Sequence, residues 1–223
     1  RYLAILHTGN ATGTILGPLL GGTLAELTGI RMTMRVASAL VFTAMVLVLF
    51  TVREHILAPG KARTSVLADL RVAVTHRSLL AIMIATMLIQ ASVQSLEPIL
   101  SNFIPTLDRE GWITGVTHLL FGRGEADEFI VGFIFSLPAI ATVLAAPRWA
   151  RVGERVGFAN LLSAGLLVAG LFVLPQSLVQ TVGWLILLRF LYGLMIAAVQ
   201  PSVNATLARV VHPSFRGRAF GIN

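Results

Sequence analysis

Residues 9–22 read GNATGTILGPLLGG, with glycine at every fourth position: Gly9, Gly13, Gly17 and Gly21. Four residues advance about 400° around an α-helix, so these glycines form one slowly drifting stripe. Glycine lets backbones approach closely, which is how helices pack in a membrane, where no hydrophobic drive acts between them. The stretch therefore predicts a helix-packing face, on a helix that Pro18 bends by removing one intrahelical hydrogen bond.

The composition around this stretch is that of a membrane protein. Of the 223 residues 56% are hydrophobic and 12% are charged, and the mean hydropathy is +0.83. A soluble domain has about a quarter of its residues charged, so these charges are too few to cover a surface that faces water. The net charge of +7 comes from basic residues in small groups between apolar runs. Without a basic face interleaved with aromatic residues, nucleic acid is not an expected partner.

Apolar runs of about twenty residues recur along the chain, the length that a helix needs to cross roughly 30 Å of hydrocarbon. They are continuous rather than alternating, which excludes the strands of a β-barrel. We therefore predict an all-α, polytopic membrane helix bundle with six full transmembrane helices and the start of a seventh at Arg218. Residue 1 is Arg rather than Met, so we expect a fragment of a longer protein. The six runs are Tyr2–Leu24, Met34–Val52, Leu79–Phe103, Phe129–Ala146, Phe158–Leu174 and Val182–Leu207.

The distribution of Lys and Arg predicts the orientation of these helices. If the first helix runs outward, twelve basic residues fall on one side of the membrane and only four on the other, Arg31, Arg35, Arg109 and Arg123. The basic side is therefore cytoplasmic, and it includes the segments Glu54–Ser78 and Arg148–Arg155. Within the first segment, helical spacing of apolar residues after Pro59-Gly60 predicts a short helix, lying either on the membrane surface or packed on the protein.

Residues 13–22 resemble the antiporter signature G-x-x-x-G-P-x-x-G-G of the major facilitator superfamily. In that family the signature lies on the fifth transmembrane helix and is typical of proton-coupled drug exporters. The resemblance implies that Gly9, Gly13, Gly17, Pro18, Gly21 and Gly22 form a tightly packed helix that seals the outer side of a central cavity. An additional glycine of the family pattern is absent, because its position is Ala4.

The resemblance extends along the chain. It implies that residues 1–53 are helices five and six, the end of an N-terminal half. Residues 54–78 would then be the link between halves, and residues 79–223 would be helices seven to ten and the start of helix eleven. Arg151, Glu154, Arg155 and Gly157 partly match the family's loop between helices eight and nine, although Phe158-Ala159 stands where the family has a basic pair. Arg189 and Gly193 match the R-x-x-x-G of helix four, carried over to helix ten.

Charged residues inside the membrane are costly and therefore indicate functional positions. Glu97 and Arg189 both lie in the outer third of their predicted helices, as estimated from the 1.5 Å rise per residue. We therefore expect the two side chains to approach each other, as a structural ion pair or as part of a substrate or proton site. Polar residues on the same helix faces complete the predicted substrate pathway: Gln90, Gln94, Glu97, Ser101, Arg189, Gln200 and Asn204.

The function implied by this resemblance is secondary active transport, with proton-coupled export of drugs or other amphipathic molecules by alternating access. Uptake of a sugar or metabolite by the same fold is the alternative within transport. A membrane enzyme or a scaffold that does not transport is the alternative of another class, but no nucleophile, phosphate loop or metal cluster is apparent. We expect a monomer in the cell (cytoplasmic) membrane that needs no cofactor or metal and whose partners are lipid, a small-molecule substrate and protons.

The predicted orientation is testable by cysteine labelling of intact cells. A cysteine that replaces Ala62 should be protected from a membrane-impermeant reagent, because the Lys and Arg asymmetry puts residues 54–78 in the cytoplasm. A cysteine in the outer connection, at Thr117 for example, should be labelled. Labelling of position 62 from outside would contradict the orientation.

Overall fold

A computed structural model describes residues 2–52, 75, 77–122 and 126–210. Within these residues the secondary structure is helical, with eight α-helices and two short 3-10 turns, Ile104–Thr106 and Leu174–Leu178. The helices are α1 (Tyr2–Thr28), α2 (Ile30–Thr51), α3 (Arg77–Phe103), α4 (Gly111–Phe121), α5 (Asp127–Val156), α6 (Phe158–Val173), α7 (Val182–Ile196) and α8 (Val199–Val210).

The predicted membrane helices are present in this fold. Five segments of the described chain are long and apolar enough to cross a membrane: Ile30–Thr51, Leu79–Thr106, Asp127–Val156, Phe158–Leu178 and Val182–Arg209. The first predicted run is also helical, as α1, and its 27 residues rise about 40 Å. It is less apolar than the other five because it is rich in glycine and threonine. The predicted surface helix and the segment beginning at Arg218 lie outside the described residues.

Proline and glycine explain a break within one predicted run and a wrong boundary of another. The run Val182–Leu207 is broken into α7 and α8 at Ala197 and Ala198, because Pro201 lacks the N–H that a continuous helix would bond to the Ala197 carbonyl. The segment Arg148–Arg155, predicted as a loop, continues α5 as far as Val156. Gly157 alone then connects α5 to α6, with a φ of 89° that favours glycine.

The connection between α3 and α5 contains α4, a helix that the sequence pattern did not predict. Its Ile113 joins a buried apolar cluster with residues of α3, α5 and α7, including Leu100, Ile134 and Leu185. Thr117 is also buried, with 1% of its surface exposed. The neighbouring His118 is exposed and is therefore the better outer position for the labelling experiment.

The closest helix crossing of α1 is with α5, and it does not use the predicted glycine stripe. A Cβ atom added to Gly22 would clash with the Glu128 carbonyl oxygen and lie 3.0 Å from the Gly132 Cα. A Cβ added to Gly132 would in turn clash with the Pro18 carbonyl oxygen. By contrast, no atom of the described chain lies within 4 Å of a Cβ added to the stripe residues Gly9, Gly13, Gly17 and Gly21. No described helix therefore meets the expected packing face, and the contact lies one position further on.

The N-terminal end of α7 is held by the segment that precedes α4. Asp108 forms an isolated parallel bridge with Thr181: its N–H donates to the Gln180 carbonyl at 2.9 Å, and its carbonyl accepts from the Val182 N–H at 3.0 Å. The Glu110 carboxylate accepts the Gly183 N–H with both oxygens, at 3.2 and 3.1 Å. This carboxylate therefore satisfies an N–H of the first turn of α7, where a negative charge also complements the helix dipole.

The environment of Glu110 favours its charged form. Burial raises the pKa of the Glu110 carboxyl, but the Thr181 side chain and the backbone N–H groups, including that of Gly183, outweigh burial and leave the pKa below its ordinary value of 4.5. The Thr181 hydroxyl oxygen is buried and does not reach full hydrogen-bond geometry, so we ascribe the lowering chiefly to the backbone donors. Beside this contact, the Arg109 guanidinium donates to the Asp127 carboxylate at the start of α5.

The crossing of α1 and α5 predicts opposite outcomes for two adjacent glycines. Gly22→Ala should destabilise the protein, because its Cβ meets backbone atoms of α5 and overpacking costs about 1–3 kcal/mol. Gly21→Ala should be neutral or stabilising, because its Cβ meets open space and alanine is the better helix former. Thermal unfolding of the two variants in detergent measures the difference. Equal stability of the two variants would contradict this crossing.

The contact of Glu110 with α7 predicts a pH dependence of stability. A carboxyl whose pKa is lowered on folding stabilises the folded state fully above its unfolded pKa, and this stabilisation is lost as pH falls through the folded pKa. The stability of the native sequence should therefore decline below about pH 4.5 more steeply than that of Glu110→Gln. Unfolding temperatures measured between pH 3 and pH 7, with Glu154→Gln as a control remote from α7, test this. Parallel curves for the native sequence and Glu110→Gln would show that the contact does not contribute.

Candidate substrate cavity

A cavity of about 470 Å³ lies between α1 on one side and α3, α5 and α7 on the other. This volume is within the range of sites that bind small molecules, and most of its wall is apolar, as such sites usually are. The lining residues are Asn10, Ala11, Thr14 and Pro18 of α1; Val93, Leu96 and Glu97 of α3; Phe135, Pro138, Ala139, Thr142 and Val143 of α5; and Arg189, Tyr192 and Ile196 of α7.

The wall formed by α5 and α7 is built around a close crossing at Gly193. A Cβ added to Gly193 would lie 2.5 Å from the Pro138 Cα and 2.8 Å from the Ala141 Cβ, so only glycine allows this approach. Two side chains of α5 then bond to the backbone of α7: the Thr142 hydroxyl donates to the Gly193 carbonyl at 3.2 Å, and the Trp149 Nε1 donates to the Leu194 carbonyl at 2.6 Å. These contacts fix which residues of α7 face the cavity.

Arg189 is the buried cation of this cavity, with 6% of its surface exposed. Its guanidinium carbon lies 5.7 Å from the centre of the Phe135 ring and 6.0 Å from that of the Tyr192 ring, within the range of a cation–π interaction. Its Nε is buried and has no hydrogen-bond acceptor among the described residues. The two aromatic rings therefore stabilise the charge without satisfying the guanidinium's donors.

Glu97 lines the same cavity from α3, as its predicted meeting with Arg189 requires. The two charged groups do not form an ion pair within 4.0 Å. Glu97 is exposed, and the next residue, Pro98, cannot donate a backbone hydrogen bond to the Gln94 carbonyl. In this conformation Glu97 and Arg189 thus share a cavity without direct contact, and their roles stay a prediction.

The other predicted pathway residues do not line this cavity. It meets α3 only at Val93, Leu96 and Glu97. Gln90 and Gln94 are exposed elsewhere on α3, and the Ser101 hydroxyl donates to the Pro98 carbonyl. On α8 the Gln200 amide donates to the Asn204 side-chain oxygen at 3.5 Å. Because the helix breaks before Gln200, the face shared with Arg189 on an unbroken helix is not continued.

Sequence reasoning also missed residues that line the cavity. Asn10 and Thr14 come from α1 and lie four apart with Pro18, so they form a row one position from the glycine stripe. That four-residue spacing was visible in the sequence, but we interpreted the whole stretch as a helix-packing face because of its glycines. Tyr192, which is not among the predicted pathway residues, lines the cavity beside Arg189. Glu26, near the outer end of α1, is also buried, with 8% of its surface exposed.

The residues of the predicted cytoplasmic loop motif lie at the end of α5, away from this cavity. Arg151, Glu154 and Arg155 are exposed, and the Arg151 Nε donates to the Pro147 carbonyl of its own helix at 3.3 Å. Among the described residues Glu154 makes no ion pair within 4.0 Å. The motif thus forms a helix end next to the turn at Gly157.

Ligand clusters for metal binding are not found in the described chain, where no three His, Cys, Asp or Glu side chains converge. The charged groups that line the cavity are Glu97 and Arg189 alone. Chemically, this arrangement provides an apolar chamber with one cationic and one anionic group on different helices.

Known proteins resemble this chain along its length. A family model described as Major Facilitator Superfamily matches residues 1–124 and 114–223. The chain is 33% identical over 225 residues to proteins named Multidrug resistance protein MdtG from Salmonella paratyphi B (strain ATCC BAA-1250 / SPB7), Salmonella newport (strain SL254) and Salmonella typhi. The match covers 99% of this chain and 52% of each relative, so the chain spans about half the length of these relatives. No solved structure matches it.

The family model covers the same residues that form the apolar helices and the cavity between them. Its match agrees with the signature in residues 13–22 and with an all-helical, multi-pass membrane architecture. The chain belongs to the major facilitator superfamily of membrane transporters.

Proposed function

We propose that this chain is part of a secondary transporter that exports amphipathic small molecules from the cell across the cytoplasmic membrane. The observation that carries the proposal is the cavity itself. Its α1 wall comes from the predicted N-terminal half, and its α3, α5 and α7 walls come from the predicted C-terminal half. A site between two halves is where alternating access by rocking requires the substrate to bind.

The contact between α1 and α5 supports a closed outer side in this conformation. Pro18 and Gly22 meet Glu128 and Gly132, close to the predicted outer ends of both helices. Backbones at this separation leave no room for a substrate to pass between them. Outward opening therefore requires α1 and α5 to separate here. Because the residue at both contact points is glycine, no interlocked side chains oppose this separation.

Multidrug export is favoured over uptake of a sugar or metabolite by the character of the cavity. Sugars are recognised by many hydrogen-bonding groups, whereas nine of the fifteen lining residues here are apolar. The name of the relatives, multidrug resistance protein, agrees with this choice. A membrane enzyme would need a cluster of catalytic groups, and the cavity has only two charged groups, on different helices.

Proton coupling and action as a monomer are further parts of the proposal, and Glu97 is its candidate proton-binding group.

Substitution of Glu97 and Arg189 should abolish export even where the protein remains folded. Glu97→Gln and Arg189→Gln should each impair it, because each removes one of the two charged groups that line the cavity. The double variant should insert normally, since no unbalanced charge is left, but should still fail to export. The assay is efflux of a panel of fluorescent amphipathic compounds from energised cells or vesicles, with Gln94→Ala, outside the cavity, as the matched control.

Two outcomes would contradict parts of this proposal. Recovery of efflux in the double variant would mean that the two charges only neutralise each other. Efflux that continues after a protonophore has collapsed the proton gradient would exclude proton coupling. An inactive Gln94→Ala variant would show that the polar surface of α3 outside the cavity is also required.

A further inference from the structure

The buried Nε of Arg189 lacks an acceptor among the described residues, in a cavity whose wall is mostly apolar. Arginine stays charged at any physiological pH, and all five of its N–H groups are donors. With 6% of its surface exposed, Arg189 has lost most of its contact with water. Its Nε has no acceptor, and no carboxylate lies within 4.0 Å of its nitrogens. The site therefore contains a buried donor, Nε, without an acceptor among the described residues, and a positive charge without a carboxylate in contact.

The groups around Arg189 leave room for an acceptor at the edge of its guanidinium. Phe135 and Tyr192 present their rings to its charge, and an aromatic face accepts a cation but not the in-plane pair of hydrogen bonds that guanidinium forms best. Glu97 is the only acid that lines the cavity, and it is exposed and out of contact. The Tyr192 phenol is the other titratable group at the site, and it is neutral at physiological pH.

The remaining walls suit a hydrocarbon body. Val93, Leu96, Ala139, Val143 and Ile196 line the same cavity. Its volume of about 470 Å³ accommodates a small aromatic or aliphatic molecule with one polar head. A carboxylate, sulfonate or phosphonate fits a guanidinium edge with two parallel hydrogen bonds, which a point cation cannot do.

We propose that the cavity recognises amphipathic anions, with the anionic head on Arg189 and the apolar body against α3, α5 and α7. This proposal rests on the proposed transport function and names the class of molecule that the site selects. Glu97, when ionised, repels the anion from across the cavity. Neutralisation of Glu97 therefore increases the affinity for anions, whereas loss of the Arg189 charge removes that affinity.

A pair of ligands with the same body and opposite charge tests this directly. Binding of 4-phenylbutyrate and 4-phenylbutylammonium to the protein in phosphatidylcholine nanodiscs is measured by calorimetry. We expect the anion to bind more tightly, and Arg189→Gln to weaken anion binding by about tenfold or more, in line with hydrogen bonds to charged groups. Arg189→Gln should not weaken binding of the cation. Arg189→Lys keeps the positive charge but loses the pair of parallel N–H donors, so it should retain part of the affinity for the anion. Glu97→Gln should raise the affinity for the anion.

Three results would overturn the proposal. One is equal or tighter binding of the cation by the native sequence, and another is unchanged anion binding by a folded Arg189→Gln variant. The third is loss of 4-phenylbutyrate binding in nanodiscs of phosphatidylglycerol, which would assign the site to a lipid headgroup rather than to a transported molecule. The proposed function is tested separately: a protein that exports cations but not anions refutes this proposal alone, whereas one that exports neither refutes transport.

Discussion

The cavity depends on the backbone contact between α1 and α5 at Gly22 and Gly132. Both residues lack a Cβ, and a Cβ at either position would clash with a carbonyl oxygen of the other helix. This approach brings Asn10 and Thr14 opposite Arg189, whereas bulkier residues would push the α1 wall away. Where lipid offers no hydrophobic drive between helices, such close packing is the main source of specificity. The helix α1 also contacts α2, in which no residue is buried.

The crossing of α5 and α7 applies the same principle to the opposite wall. Gly193 lies one helical turn from Arg189, and Pro138, which it contacts, lies nearly one turn from Phe135. The helix register that places Gly193 against Pro138 therefore also places the Arg189 guanidinium near the Phe135 ring. Glu110 holds the outer end of α7 by accepting an N–H of its first turn. A mutation at either the contact of Gly193 with Pro138 or the contact of Glu110 with α7 should therefore displace Arg189.

Hydropathy predicted the helices because a backbone in lipid must satisfy its hydrogen bonds internally. Once a β-barrel is excluded, only an α-helix can do this. It did not predict where helices end, since that depends on local residues such as Gly157 and Pro201. The glycine motif shows what residue spacing leaves open. Spacing identifies a face that can pack closely but not its partner, and the contact falls on Gly22, one position away. Glu97 and Arg189 were predictable because charge in a membrane is rare. Phe135 and Thr142 were not, because aromatic residues and threonines occur throughout these helices.

The break between α7 and α8 gives the wall that carries Arg189 a defined place to bend. Pro201 leaves the Ala197 carbonyl without its helical partner, and the chain makes a turn at Ala197 and Ala198. The outer end of α7 is held by Asp108 and Glu110, and its middle is held by the contact of Gly193 with α5. A change in tilt of α8 can therefore occur at this joint without breaking an intact helical ladder. Because Ile196 lines the cavity directly before the joint, such a change would reach Ile196 before it reached Arg189.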